Sequence, residues 1–272
     1  MKSIFDVKSY LTFTKNTFQK NLSYRANAII FFLGELIMLF VTYYLWKAIY
    51  RNSETLIIKG FSLNEMIIYV LISFITTVVT SSDISHSISR EVKDGSIAIN
   101  LIRPINYKKR MFFESLGNLM YSFIVVFLIG FIIVTILQIS YGGSFSIINI
   151  VLYFISIING FMINFYYSYI FGLLSFKVTN MWGLAQIMNA ISQLLSGALI
   201  PIVFFPNWIQ GVFNFLPFSS MIYTPSMIYI GKLTNIEVIK AMSIQFLWVL
   251  ILMIIARLMW KALIKELTIL GG

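Results

Sequence analysis

Six apolar stretches, each long enough to cross a lipid bilayer as a helix, fill most of this chain. They run over residues 26–50, 63–82, 116–140, 147–173, 183–205 and 238–259. A hydrocarbon core about 30 Å thick takes roughly 20 helical residues to cross. Inside it every backbone N–H and C=O must be paired by protein, which an α-helix does within its own segment. The stretches therefore predict an all-α polytopic membrane protein with six transmembrane helices in a single domain. Charged residues make up only 11% of the 272 and hydrophobic residues 59%. No charged face recurs along the stretches, so a pair of soluble domains of the same total length is excluded.

The same residues remove most enzyme chemistry. With no cysteine, disulfides, thiolate metal sites and cysteine nucleophiles are ruled out. The single histidine, His86, has Ser85, Ser87 and Asp83 as neighbours on a polar stretch and reads as a solvated surface residue. A phosphate-binding loop is missing too, because Gly231-Lys232 is followed by Leu233 and position 226 is Ser. The chain is expected to be non-catalytic, with no cofactor or metal of its own. Energy for any transport then comes from a partner protein or from an ion gradient.

A net charge of +10 could point to nucleic acid, but its placement points to topology. Of 20 Lys and Arg, fifteen fall in the N-terminal segment, the second-to-third and fourth-to-fifth connections and the C-terminal end. The other side holds only Lys47, Arg51, Lys59, Lys232 and Lys240. Cytoplasmic loops carry the excess of basic residues, so both termini are predicted to be cytoplasmic, as six crossings require. The first stretch is not expected to be a cleavable signal, since some 25 polar and basic residues precede it.

Between the stretches, residues 6–24 repeat Val7, Tyr10, Leu11, Phe18 and Leu22 at helical spacing, with lysines elsewhere around the wheel. That pattern suits an interfacial amphipathic helix against membrane lipids. Ser62-Leu63-Asn64-Glu65 and Thr234-Asn235-Ile236-Glu237 are capping boxes, opening the second and sixth stretches. The segment 83–114 reads as a short polar helix through Ser89, Arg90, Glu91, Lys93 and Asp94 that stops at Gly95. Arg103-Pro104 bars further helix, and Tyr107-Lys108-Lys109-Arg110 is placed to snorkel into headgroups. Residues 205–233 are aromatic and broken by Pro206, Pro217 and Pro225, predicting one or two short helices re-entering the outer leaflet.

Polar groups inside the stretches are few. Glu35 is the one convincing acid, either a substrate or proton contact or a glutamate tied to a neighbouring helix. Gln186, Asn189, Gln193 and Gly197 fall at steps of three and four, a stripe that either zips a helix–helix contact or lines a polar path. Thr76, Thr77 and Thr80 form a milder patch on the second stretch.

Taken in order, these features resemble the permease subunits of ABC exporters of the type 2 class, in the six-span branch whose ATPase is encoded separately. The resemblance rests on Leu22-Ser23-Tyr24-Arg25-Ala26-Asn27, on Ile88 through Ile97 followed by Leu101-Ile102-Arg103-Pro104, on Phe205-Pro206 and Leu216-Pro217-Phe218, and on the basic tail ending Gly271-Gly272. It implies that Ser89, Arg90, Glu91, Lys93, Asp94 and Gly95 belong to a coupling helix docking on the ATPase, with the N-terminal helix as a second contact. It also implies that Phe205, Trp208, Leu216, Pro217 and Phe218 close the outer exit. The implied assembly has two permeases, identical or homologous, and two ATPase subunits that bind the ATP and Mg. The path would follow the seam near Thr76, Thr80, Gln186, Asn189 and Gln193, in a bacterial cell membrane. Two rival readings stay open: a proton- or ion-coupled carrier using Glu35, and a non-transporting membrane scaffold or immunity protein.

Overall fold

The computed structural model describes residues 2–143, 146–178 and 181–265; the side chains of residues 2–6, 25–32, 35 and 182 lie outside the description. Glu35, Arg25, Ala26 and Asn27 are thus placed by backbone alone, and Gly271-Gly272 falls outside the described residues.

Helices α1 (Lys2–Ser23) and α2 (Arg25–Arg51) lead into a two-residue hairpin, β1 (Ile57–Ile58) and β2 (Phe61–Ser62). The pairing Ile58↔Phe61 leaves Lys59 and Gly60 in the turn at φ 50° and 82°, both left-handed, as a tight hairpin demands. Helix α3 (Leu63–Thr80) follows, then two short helices, α4 (Ile84–Lys93) and α5 (Ser96–Ile102). The next long helix is one run in three parts: α6 (Tyr107–Ser122), a π turn over Phe123–Phe127, and α7 (Leu128–Ser140). Helix α8 (Ile147–Leu173) precedes α9 (Trp182–Leu195), α10 (Asn207–Phe215), α11 (Tyr223–Ile230) and α12 (Asn235–Leu263). Both capping boxes form, Ser62 with Glu65 and Thr234 with Glu237.

Four helical stretches among the described residues are long and apolar enough to cross a membrane: Leu63–Lys93, Tyr107–Ser140, Ile147–Phe176 and Asn235–Leu263. Their outer faces are apolar where a soluble protein would be polar; Ile129, Ile132 and Ile136 of α7 are all more than half exposed. Lipid, the solvent for such a face, completes an all-α polytopic membrane protein.

At the centre is α8, which packs against α3, α4, α11 and α12. Two of its glycines set how close the neighbours come. A Cβ on Gly160 would lie 2.8 Å from the Met221 carbonyl oxygen. One on Gly172 would lie 2.7 Å from Ile88 Cδ1 and 3.1 Å from Ser85 Cα. The first contact seats the connection before α11, and the second seats α4.

Three sequence expectations change. The stretch 183–205 is not one helix: α9 has 14 residues, about 21 Å at 1.5 Å each, short of a full crossing. It ends because Gly197 turns left-handed at φ 77°, and Pro201 and Pro206 keep the chain extended on either side of a 3₁₀ turn over Ile202–Phe204. The third stretch starts nine residues earlier than 116, since the basic run Tyr107–Arg110 joins the helix and Asn106 caps it. Lastly, α1 does more than float in headgroups. Tyr10 and Thr14 are buried against α6, where the Tyr10 hydroxyl accepts from Asn106 N (2.6 Å) and Thr14 Oγ1 donates to Phe113 O (2.7 Å). Asn21 donates to Asn118 Oδ1 at 2.8 Å about two turns further along. Val7, Leu11 and Leu22 remain exposed, so the helix buries one face against α6 and leaves an apolar face outward.

One buried amide ties three elements. Gln245 of α12 is fully buried and donates to Ser156 Oγ of α8 (2.8 Å) and to the Ser220 carbonyl (2.7 Å). Gln245→Leu is expected to destabilise the protein by about 1–3 kcal/mol, because Ser156 and Ser220 O lose their buried partner. Thermal denaturation in detergent checks this. Adding Ser156→Ala to Gln245→Leu should cost little more, and full additivity would show that the two act independently.

Candidate functional site

The polar residues of α9 face a cleft of about 630 Å³ at the basic end of the bundle, walled by α3, α4, α8 and the segment before α11. Thr80, Gln186, Asn189 and Gln193, predicted to lie along a path or seam, all line it. Thr76 does not: it is fully buried, and its hydroxyl lies 2.8 Å from that of Tyr153. The side chains of Gln186, Asn189 and Gln193 are exposed along an otherwise apolar 14-residue helix.

Several lining residues went unremarked in the sequence. Asn164, Tyr167 and Ser168 of α8 form the opposite wall, where Ser168 Oγ bonds to Asn164 Oδ1 (3.3 Å) and to the Ser82 carbonyl (3.2 Å). Polar residues at positions i and i+4 in an apolar stretch were the available signal. His86 and Asp83 stand at the mouth, so the histidine borders a cleft instead of open solvent. The cleft can hold a polar or amphipathic solute through hydroxyls and amides, and it brings no metal-binding cluster together among the described residues.

Beside it, α4 is fixed as a rigid body. Its Ile84, Ile88 and Val92 repeat every fourth residue and are buried, Ile88 against Gly172. Gly95 at φ 74° ends the helix as expected, and Asp94 Oδ1 accepts from Ser96 N (2.9 Å) and Ser96 Oγ (2.6 Å) to start α5. Those two bonds hold the Asp94 carboxyl below its ordinary range. Arg103 is extended before Pro104, which ends α5.

The charges around α4 divide by direction. Arg90, Lys93 and Asp94 are exposed, and Ser89 is half-buried. Glu91 turns inward: it accepts from the Tyr107 hydroxyl (2.8 Å) and pairs with the Arg110 guanidinium, which also holds Glu114 at 2.9 Å. Arg110 is buried at the start of α6, with its guanidinium 5.1 Å from the Tyr107 ring centre. Glu91 is therefore a positioning residue that pins α4 to α6, whereas Arg90 and Lys93 are exposed on the outer side of α4.

Comparison with known families now decides the class. The family model described as "ABC-2 family transporter protein" matches residues 36–271. The chain belongs to this family. It is a membrane-embedded ABC transporter permease. Among curated proteins no match is found.

In this ABC-2 permease the five residues expected to shut an outer exit are dispersed. Trp208 is 76% exposed on α10, while Phe205 packs on Phe213 with ring centres 5.1 Å apart. Leu216 and Phe218 are half-buried and Pro217 is buried, with Phe218 edge-on to Tyr167 of the cleft wall at 5.3 Å. Of the one or two short helices expected over 205–233, α10 and α11 are both short, and α11 is buried against α8 and α3.

Removing Arg110 leaves Glu91 and Glu114 facing each other in a poorly hydrated site. Arg110→Met is expected to cost about 3–5 kcal/mol, the usual penalty for an orphaned buried charge. Limited proteolysis should then cut within 84–102. Adding Glu91→Gln should restore part of the protection, and an Arg110→Met protein as resistant as the wild type would remove the clamp from the account.

Proposed function

We propose that this ABC-2 permease is half of an ATP-driven exporter, built from two permeases, identical or homologous, and two separately encoded ATPase subunits. The ATPases bind ATP and Mg; this chain supplies path and coupling. In this reading six crossings place both termini in the cytoplasm of a bacterial cell. Helix α2, 27 residues long, makes the first crossing, and α9 with the segment that follows it makes the fifth. The observation that carries the proposal is the two-faced α4: a buried apolar face locked to α8, an inward clamp at Glu91, and exposed ions at Arg90, Lys93 and Asp94.

Such a helix converts a push into movement of the long helices, because interfaces packed this tightly shift as rigid bodies. An ATPase surface closing on ATP supplies the push. The exposed apolar side chains of Ile99 and Ile102 on α5, 57% and 83% exposed, extend the same docking surface. Transport runs through the cleft at α9, which a second permease closes. Gln186, Asn189 and Gln193 support this reading, since amides on a helix of a membrane protein are costly against lipid and gain hydrogen bonds across a protein seam. The amides and apolar walls suit a peptide, a lipid-like molecule or an amphipathic drug.

Arg90→Glu combined with Lys93→Glu is expected to lower co-purification of the ATPase by about tenfold or more, since like charges set against each other at an interface cost several kcal/mol. Membrane insertion and thermal stability should not change. Glu91→Arg should also abolish ATP-coupled export, but by freeing α4, so it alone should expose 84–102 to protease. Gln193→Leu should alter the rate or preference of transport with the ATPase still bound. In vesicles, export that survives ATP depletion and stops when the proton gradient collapses would replace this function with a carrier.

A further inference from the structure

The basic end holds a second cleft, of about 430 Å³, between the start of α6, α8 and the last turns of α12. Three cations line it: Lys108, Arg257 and Lys261. Its aromatic wall is Tyr107 stacked on Trp260, ring centres 5.3 Å apart and planes 18° apart, with Tyr169 behind them. No Asp or Glu contributes to the lining, and among the described residues none of the three cations has an ion-pair partner. Lys108 is half-buried, its ammonium 5.7 Å from the Tyr166 ring centre, and Arg257 and Lys261 are exposed.

Cations gathered on one cleft wall with no acid among them attract an anion with several acceptor oxygens, and the half-buried Lys108 meets it where water competes least. A phosphate fits that description, since arginine meets it through two parallel hydrogen bonds and lysine as a point charge.

The remaining wall indicates where the phosphate comes from. Met253 and Ile254 line the cleft, and Ile254 and Leu258 are exposed on the apolar side of α12. The cleft thus joins a cationic pocket to a lipid-facing surface at the depth where Trp and Tyr mark the membrane boundary. We propose that the juxtaposition of Lys108, Arg257 and Lys261 in one acid-free cleft binds the phosphate of an anionic phospholipid from the inner leaflet, its acyl chains lying along Ile254 and Leu258. Basic pockets between helices on the cytoplasmic side take such headgroups, and the leaflet's own negative potential concentrates them there. The inference needs only that the chain is embedded with its basic end inside; it does not depend on the ATPase or on export.

Native mass spectrometry of the full chain, taken from detergent holding equal phosphatidylglycerol and phosphatidylcholine, tests it. The wild type should retain phosphatidylglycerol in preference. Replacing Lys108, Arg257 and Lys261 by Gln should weaken that preference by about fivefold per charge removed. A control replacing Lys15, Lys93 and Arg103 by Gln takes the same charge from the same end, outside the cleft, and should retain the preference. Equal loss in the two triple variants would overturn the site in favour of diffuse surface charge. Displacement of the lipid by an equal concentration of glycerol phosphate would overturn the lipid assignment in favour of a soluble phosphate ester.

Discussion

A helix interrupted in the middle of a membrane protein frees carbonyls and amides that lipid cannot answer, and the fold is arranged around answering them. The interruption runs from Ser196 to Ile222, through a 3₁₀ turn, α10 and two proline-stiffened bends. Tyr69 of α3 donates its hydroxyl to Gly197 O at 2.6 Å. Tyr223 N closes on Ser196 O at 3.1 Å. Gln210 donates to Val203 O and Phe205 O, Trp248 of α12 to Phe215 O at 2.8 Å, and Gln245 to Ser220 O. Each donor from α3 or α12 belongs to an unbroken helix, so the irregular segment is held by parts whose own backbone is already satisfied. These bonds secure the break at the C-terminal end of α9.

How far this was legible in the sequence follows from the range of each signal. Capping boxes, the Gly95 stop and the Arg103-Pro104 break depend on contacts a few residues apart, and they form where the residues predict. The polar stripe of α9 was visible as spacing, and three of its amides do share one cleft with Thr80. The end of α9 was not visible. Residues 183–205 carry no charge and stay largely apolar to their end, and what stops the helix is a left-handed Gly197 supported by Tyr69, 128 residues away in sequence. The opposite wall, from Asn164 to Ser168, was equally hidden, because nothing local says which face of α8 meets α9.

Charge was the least legible property. Glu91 and Arg90 are neighbours on one short polar helix, and composition treats them alike. The period of Ile84, Ile88 and Val92 decides which direction is inward, and Glu91 lies close enough to that face to reach Arg110 and Tyr107. A carboxylate in that position stabilises the protein through a buried partner, whereas Arg90 and Lys93 in water gain little from neighbours. Exposed and unspent, the latter are the charges from which a partner can gain.

Tyr107 joins the two halves of this end of the molecule. Its hydroxyl donates to Glu91, which pins α4, while its ring stacks on Trp260 of α12 and forms a wall of the cationic cleft. A small shift of α12 against α6 therefore acts on the donor that orients Glu91, and a displacement of α4 pulls on the same ring. No long relay is needed, because one side chain belongs to both contacts. In the proposed function this junction sets how much of a push on α4 would reach the long helices, since a loosely held α6 would absorb the movement locally instead of passing it on. A phosphate held between α6 and α12, as proposed above, would stiffen the platform on which α4 rests.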